Sequence, residues 1–291
     1  MTARKGTPRS AWNRVFWGVL LATSTATLGW GLSIELKSSP LQSRLFSELT
    51  QRFGVSVEPG PSPLARFPES GPYDERLGYA RIPSFLRSLE AHGFAVDRQA
   101  RLSPTLVSFI DLGGFPVYRE KSQAGLTLLD RSGHDMYHAL HPERVFTNFR
   151  SVPPLIVYTL LFVENRELLD AASPTHNPAV EWDRFAAASV NALASALLPT
   201  GQRFGGSTLA TQLEKYRHSP DGRTGSPVDK LRQIISASAR AYQDGPDTTN
   251  ARQRIVLDYV NSTPLTARPG FGEVIGLGDG LHAWYGTDLD Q

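Results

Sequence analysis

The chain has 291 residues, 40% of them hydrophobic and 20% charged, with a formal net charge of +2. That is a globular composition with room for one sizeable domain or two small ones, and without the bulk positive charge of a nucleic-acid binder. Cysteine is absent, which excludes structural disulfides and Cys-ligated zinc and removes the usual clue to redox compartment.

The first fourteen residues carry Arg4, Lys5, Arg9 and Arg14 and no acid. From Val15 to Ile34 the chain is uncharged, long enough to cross a bilayer as a helix, with Trp12 and Trp30 placed for the two interfaces. The one-sided basic flank predicts a single-pass anchor over 15–36, with the N-terminus cytoplasmic and the remainder exported. The competing reading is a cleaved signal peptide, with Ser24-Thr25-Ala26 as a small-residue cleavage site; the apolar run continues past it, which favours the anchor.

Leu41, Leu45, Phe46, Leu49 and Phe53 recur at helical spacing and predict an amphipathic helix beside the membrane, followed by a Pro59-Gly60-Pro61-Ser62-Pro63 linker within a 37–72 segment. Residues 73–125 read as a small α+β region. It has a helix over Ser84–His92 stopped by Gly93, then strands or a short helix over Leu106–Leu112 and Phe115–Tyr118, joined at Gly113-Gly114.

Leu126–Asp130 and His134–Leu140 flank Arg131-Ser132-Gly133 and predict a hairpin. His134, His138 and His141 have helical metal-ligand spacing, but the Ser-Gly turn favours strand, with the histidines solvated or packed on the hairpin. Pro153-Pro154 opens a strongly apolar helix through Leu155, Val157, Leu160, Leu161 and Phe162 that ends at Glu164. Asn177-Pro178 predicts another helix, with Trp182, Phe185, Ala186 and Val190 on one face; further helices fall near 228–243 and 251–261.

The most informative stretch is Gly205-Gly206-Ser207-Thr208-Leu209-Ala210-Thr211-Gln212-Leu213-Glu214-Lys215. The glycines allow close backbone approach, Ser207 or Thr208 can cap a helix beginning at Leu209, and such a helix start suits a phosphate. Gln212 and Lys215 lie one to two turns along it, and Lys215 adds a movable positive charge.

The features that line up in order are Phe162-Val163-Glu164-Asn165-Arg166, the glycine motif, Asp229-Lys230-Leu231-Arg232-Gln233, the helix ending Val260-Asn261, and Tyr285-Gly286. This set resembles the peptidoglycan glycosyltransferases of family 51, the transglycosylase module of class A penicillin-binding proteins, over roughly residues 126–291. The resemblance implies a mainly α, lysozyme-like domain at the outer face of the inner (cytoplasmic) membrane, in the periplasm or outside the cell. It implies lipid II and the nascent glycan strand as substrates, other cell-wall synthesis proteins as partners, no nucleic acid, and a divalent cation, Mg²⁺ or Mn²⁺, as cofactor.

By the same resemblance Glu164 is the general base, and desolvation at the end of an apolar helix makes a carboxylate more basic. Arg166, Gly205, Gly206, Ser207, Thr208, Gln212, Lys215, Lys230 and Arg232 are substrate-binding candidates, the last three cations being suited to the pyrophosphate leaving group. Gln233 stands at the second catalytic position, where the family has a carboxylate. Asn165, Thr211, Tyr216 and Asp229 also depart from the family pattern. Glu214 and Glu167 read as solvent-facing acids, and Asp258 as a helical partner of Arg254.

Neither Ser-x-x-Lys nor Lys-Thr-Gly occurs, so the penicillin-binding transpeptidase motifs are missing from this sequence, which is expected to be a piece of a longer polypeptide. The leading expectation is a membrane-anchored glycosyltransferase. A catalytically weak lipid II-binding scaffold and a lysozyme-like hydrolase are the alternatives.

Overall fold

A computed structural model describes residues 9–181 and 207–289. The architecture is mainly α with two small antiparallel sheets. Helix α1 (Arg9–Ser38) is followed by α2 (Pro40–Thr50) after a break at Ser39, whose backbone is left-handed at φ 52°. The apolar stretch Val15–Ser38 of α1 is long enough to cross a membrane; its most apolar part is unburied, while at its end the Ser38 carbonyl accepts from Thr175 Oγ1 at 2.6 Å. Glu35 accepts from the backbone N–H groups of Leu41 (2.8 Å) and Gln42 (3.1 Å), so α1 supplies the acid that caps α2.

Helix α2 forms where expected and packs on the protein through Ser43, Phe46, Ser47 and Thr50. Leu41 and Leu45 are exposed, while Ser43, Ser47 and Thr50 are buried. Their hydroxyls bond to backbone carbonyls, which lets small side chains pack closely: Ser47 Oγ donates to the carbonyl of Ser43, and Thr50 Oγ1 to the carbonyl of Tyr242 at 2.9 Å. Phe46 stacks on Tyr242, with ring centroids 6.0 Å apart.

Strand β1 (Val55–Pro59) pairs with β2 (Arg98–Leu102), so the expected boundary at residue 72 cuts through a sheet. Between them lie α3 (Pro72–Arg76) and α4 (Ile82–Ala91), the latter stopped by Gly93 at φ +82° as expected. Helix α5 (Pro104–Asp111) is capped by Ser103, whose side chain accepts from the Leu106 N–H. Residues 115–118 form no strand; the carbonyls of Pro116 and Tyr118 accept from Arg240 instead. The hairpin is present as β3 (Ala124–Leu129) and β4 (Asp135–His141).

The remaining helices are α6 (Pro154–Glu164), α7 (Leu209–His218), α8 (Pro227–Ala241), α9 (Thr249–Ser262) and α10 (Gly276–Tyr285). Val157 and Leu161 of α6, Leu209 of α7, and Val256 and Val260 of α9 share a core with Phe146, Val152 and Leu168. Each such buried aliphatic side chain contributes on the order of 1.5–3 kcal/mol. Asn261 fixes the far end of α9 by bonding both backbone groups of Phe146 (2.9 and 2.8 Å), and Asp279 accepts from the N–H groups of Glu143 and Arg144. These packed helices carry Glu164 on α6 and the Gln212 stripe on α7.

Candidate active site

Helix α6 ends where Asn165 turns extended (φ −160°), leaving Glu164 in its last turn. Helix α7 begins at Thr208, whose hydroxyl accepts from the Thr211 N–H at 3.2 Å while Thr211 Oγ1 accepts from the Thr208 N–H at 3.0 Å. Thr208, not Ser207, is therefore the cap, and Thr211, a departure from the family pattern, completes a reciprocal capping box. Starting there, α7 carries Gln212, Lys215 and Tyr216 on one stripe at i, i+3 and i+4.

Gln212 Nε2 donates to Glu164 Oε2 at 3.0 Å, which joins two site residues that lie 48 positions apart. The same stripe lines a cavity of about 280 Å³, closed on the other side by Tyr259, Ser262 and Thr263 of α9 and the following turn. Burial, with the Glu164 charge added to it, pushes the Tyr259 phenol above its usual range, so the carboxylate acts on this cavity wall. Spacing alone did not point to Tyr259, Ser262 or Thr263; the signal was only that the helix ending in Val260-Asn261 belonged to the set.

Lys230, in the first turn of α8, extends Nζ to 2.8 Å from Ser207 Oγ and 3.4 Å from Thr211 Oγ1. Burial first, and then the positive charge of Lys215, lowers its pKa to about 8. Ser207, Thr211 and Lys230 thus meet at the start of α7, and Lys215, further along that helix, acts on Lys230 through its charge. Arg232 lies elsewhere: two residues further round α8, it packs against the Gly113 turn and approaches Asp229 at 3.9 Å. Arg166 is exposed, lies over the Phe162 ring at 4.1 Å, and lines a separate cavity with Lys37 and Glu167. Gly205 and Gly206, like Trp182, Phe185, Ala186 and Val190, fall outside the described residues.

Gln233 is completely buried. Its amide donates to Ser219 Oγ (3.1 Å) and accepts from Thr224 Oγ1 (3.1 Å), tying α8 to the loop after α7. At the position of the family's second carboxylate it offers a cation only a neutral oxygen that is already engaged. Among the described residues no three His, Asp or Glu side chains gather to hold a metal ion. These residues do not fit a protein-held Mg²⁺ or Mn²⁺. His138 and His141 stand on strand β4 and His134 in the turn before it: His134 approaches Asp130 and His138 pairs with Thr127.

Two of the acids are placed differently from their sequence reading. Glu214 does not face water; it is buried on the face of α7 away from the cavity, 2.5 Å from Arg240 Nε and 3.5 Å from Arg217 Nη1. Asp258 pairs with Arg217 (2.7 Å), and Arg254 turns to Asp244 (2.6 Å). Glu120, Asp74 and His218 join Glu214, Arg217 and Arg240 in this buried cluster, so residues before the hairpin dock against α7 through ionic contacts.

The fold thus brings together a carboxylate closing an apolar helix, a glutamine holding it, and two lysines carried by α7 and α8. The transglycosylase family model matches residues 133–291, more than half of the chain, and the chain belongs to that family, the peptidoglycan glycosyltransferases of family 51. Comparison with curated proteins gives no match.

Proposed function

We propose that the chain is a membrane-anchored glycosyltransferase that polymerises lipid II, with Glu164 as general base. The observation that carries this reading is the 3.0 Å bond from Gln212, which lines the cavity, to Glu164, because it unites two separated family motifs. Glu164 takes the proton of the sugar 4-hydroxyl as that oxygen attacks C1 of the lipid-linked strand. The C1–O bond to the polyprenyl pyrophosphate breaks, with inversion, and the leaving group carries away the electron pair. Gln212 holds the carboxylate in place by donating to Oε2. Lys215 and Lys230 meet the negative charge that develops on the pyrophosphate.

The apolar α1 and its basic flank support placing the N-terminus in the cytoplasm and the catalytic part outside the cytoplasmic membrane, where lipid-linked sugars and other cell-wall synthesis proteins are reached. A second reading, a lipid II-binding scaffold of low activity, is favoured by the neutral, buried and fully bonded Gln233.

The test is polymerisation of lipid II by the full chain in bilayers, beside Glu164→Gln. Strands from the wild type alone are expected. Turnover by a folded Glu164→Gln protein overturns the base assignment, and lipid II binding without strands from either protein transfers the weight to the scaffold.

A further inference from the structure

We infer that the short helix α3, which precedes the family-matched residues, is a positioning element of the site: Arg76 and Asp74 hold α7, through Tyr216 and His218, in the register at which Gln212 meets Glu164. This rests on the catalytic reading above.

Three observations carry it. First, Tyr216 belongs to the cavity-lining stripe, one turn beyond Gln212 and next to Lys215, and its phenol accepts from Arg76 Nη1 at 2.8 Å. The Arg76 guanidinium also lies against two aromatic rings that meet edge to face, 5.2 Å from the centre of Tyr73 and 5.6 Å from that of Tyr216. A planar cation that stacks and donates at once fixes the ring's position and tilt.

Second, Asp74 Oδ2 lies 2.7 Å from His218 Nδ1 in the last turn of α7, and both side chains are buried. His218 also faces Glu120 and Glu214, and Arg240 Nη2 stands 3.4 Å from its Nε2, so the joint is enclosed on all sides.

Third, the backbones themselves are in contact. Gly71, at φ +127°, lies so close to α7 that a Cβ there would come within 2.0 Å of the Arg217 carbonyl oxygen.

Helix α7 is thus held against Glu164 through Gln212 on one face and by α3 across the adjoining ones. A reacting group displaced by about 1 Å costs on the order of a hundredfold in rate. Loss of the Arg76–Tyr216 joint is therefore read in turnover before it is read in folding.

The experiment uses the full chain in bilayers and the variants Arg76→Gln, Arg76→Lys, Tyr216→Phe and the Arg76→Gln/Tyr216→Phe double. For Arg76→Gln the expected result is a kcat for lipid II polymerisation about tenfold lower with KM within about twofold, from a displacement smaller than 1 Å. Arg76→Lys, which keeps a donor for the phenol, recovers part of the loss. The double variant is no worse than Arg76→Gln, because both act through one joint. Amide hydrogen exchange over Gln212–Tyr216 quickens in Arg76→Gln. A lowered melting temperature with kcat and exchange unchanged overturns the inference. Retained turnover in Glu164→Gln removes the base assignment and leaves the Arg76 comparison standing. Where the wild type makes no strands the catalytic reading fails, and exchange alone decides: faster exchange supports positioning, unchanged exchange overturns it.

Discussion

Two buried glutamates in one cluster are expected to respond in opposite ways to loss of charge. Burial alone would raise the Glu214 carboxyl, but Arg240, His218 and Arg217 outweigh it and hold it below its usual range. For Glu120 burial wins: Arg240, Arg217 and His218 only partly offset it, the carboxyl lies above its usual range, and neither oxygen accepts a hydrogen bond. Glu214 therefore stabilises the fold above the carboxylate pKa of the unfolded chain, and that contribution is lost as pH falls through its lower folded value. Glu120 contributes in the reverse sense: its stabilisation is present below the unfolded pKa and lost as pH rises through its higher folded value. Glu214→Gln leaves Arg240 and Arg217 buried without their shared anion, a change that costs about 3–5 kcal/mol in such settings. Arg240 keeps the carbonyls of Pro116 and Tyr118, and Arg217 keeps Asp258, which places the loss near the lower end of that range. At roughly 2–4 °C per kcal/mol this lowers the melting temperature by about 6–12 °C. Glu120→Gln is expected to stay within about 1 kcal/mol of wild type at neutral pH, neutral or stabilising, and to lose that advantage in acid. The assay is thermal unfolding of the full chain in detergent micelles, followed by circular dichroism at neutral and mildly acidic pH. If Glu120→Gln is as damaging as Glu214→Gln at neutral pH, Glu120 is a paired anion and the reasoning fails.

Lys230, with a pKa lowered to about 8, is expected to lose its hold on the leaving group as pH rises through that value, giving an alkaline limb in the pH–rate profile that Lys215→Gln moves upward. Since its folded pKa lies below the unfolded value of about 10.4, the unfolded chain binds more protons between the two, and stability rises with pH across that window. Gly71→Ala places a side chain at φ +127° and against the Arg217 carbonyl; a loss of about 1–3 kcal/mol from backbone strain alone is expected, and an unchanged melting temperature would show that α3 does not rest on α7. Removal of residues 1–36 is expected to slow polymerisation of bilayer-embedded lipid II far more than polymerisation in detergent; equal losses in both media would dissociate the anchor from substrate access.

Local signals were read well where one apolar run or one glycine decides the outcome. The uncharged run after Arg14, the apolar α6 with its terminal Glu164, and the stop at Gly93 are of this kind. Readings failed where the deciding partner lies far along the chain. Strand β1 alternates over Val55-Ser56-Val57-Glu58, but the run is short, every residue of it is exposed, and its partner lies some 40 positions later, so the pairing was not read from the sequence. In α2 the leucine stripe marked the helix but not its packed face, which is set by the surface near Tyr242, where small hydroxyl side chains can approach closely. The acids were the hardest to place, because a carboxylate reads the same in sequence whether it meets water or two guanidiniums. Glu214 differs from Glu164 only in which face of the helix assembly it enters. The pairing of Glu164 with Gln212 was legible as motif order and not as distance, and the Tyr216 cavity wall was visible only as an unexplained departure.

That departure and the one at Gln233 belong to a single electrostatic argument. A carboxylate at position 233 would stand one turn from Lys230 on α8 and would offset its charge or hold a cation beside it. The glutamine does neither, and it spends its amide on Ser219 and Thr224. Burial first, and then the positive charge of Lys215, disfavours the Lys230 ammonium, an electrostatic strain visible in its lowered pKa. A pyrophosphate relieves that strain on binding, because its negative charge raises the Lys230 pKa again and returns the proton. On the proposed mechanism, then, leaving-group stabilisation moves from a carboxylate-held cation to the lysines. Substrate binding in the window just above pH 8 is expected to take up protons, measurable by calorimetry in buffers of different ionisation enthalpy; proton release in that window would refute it.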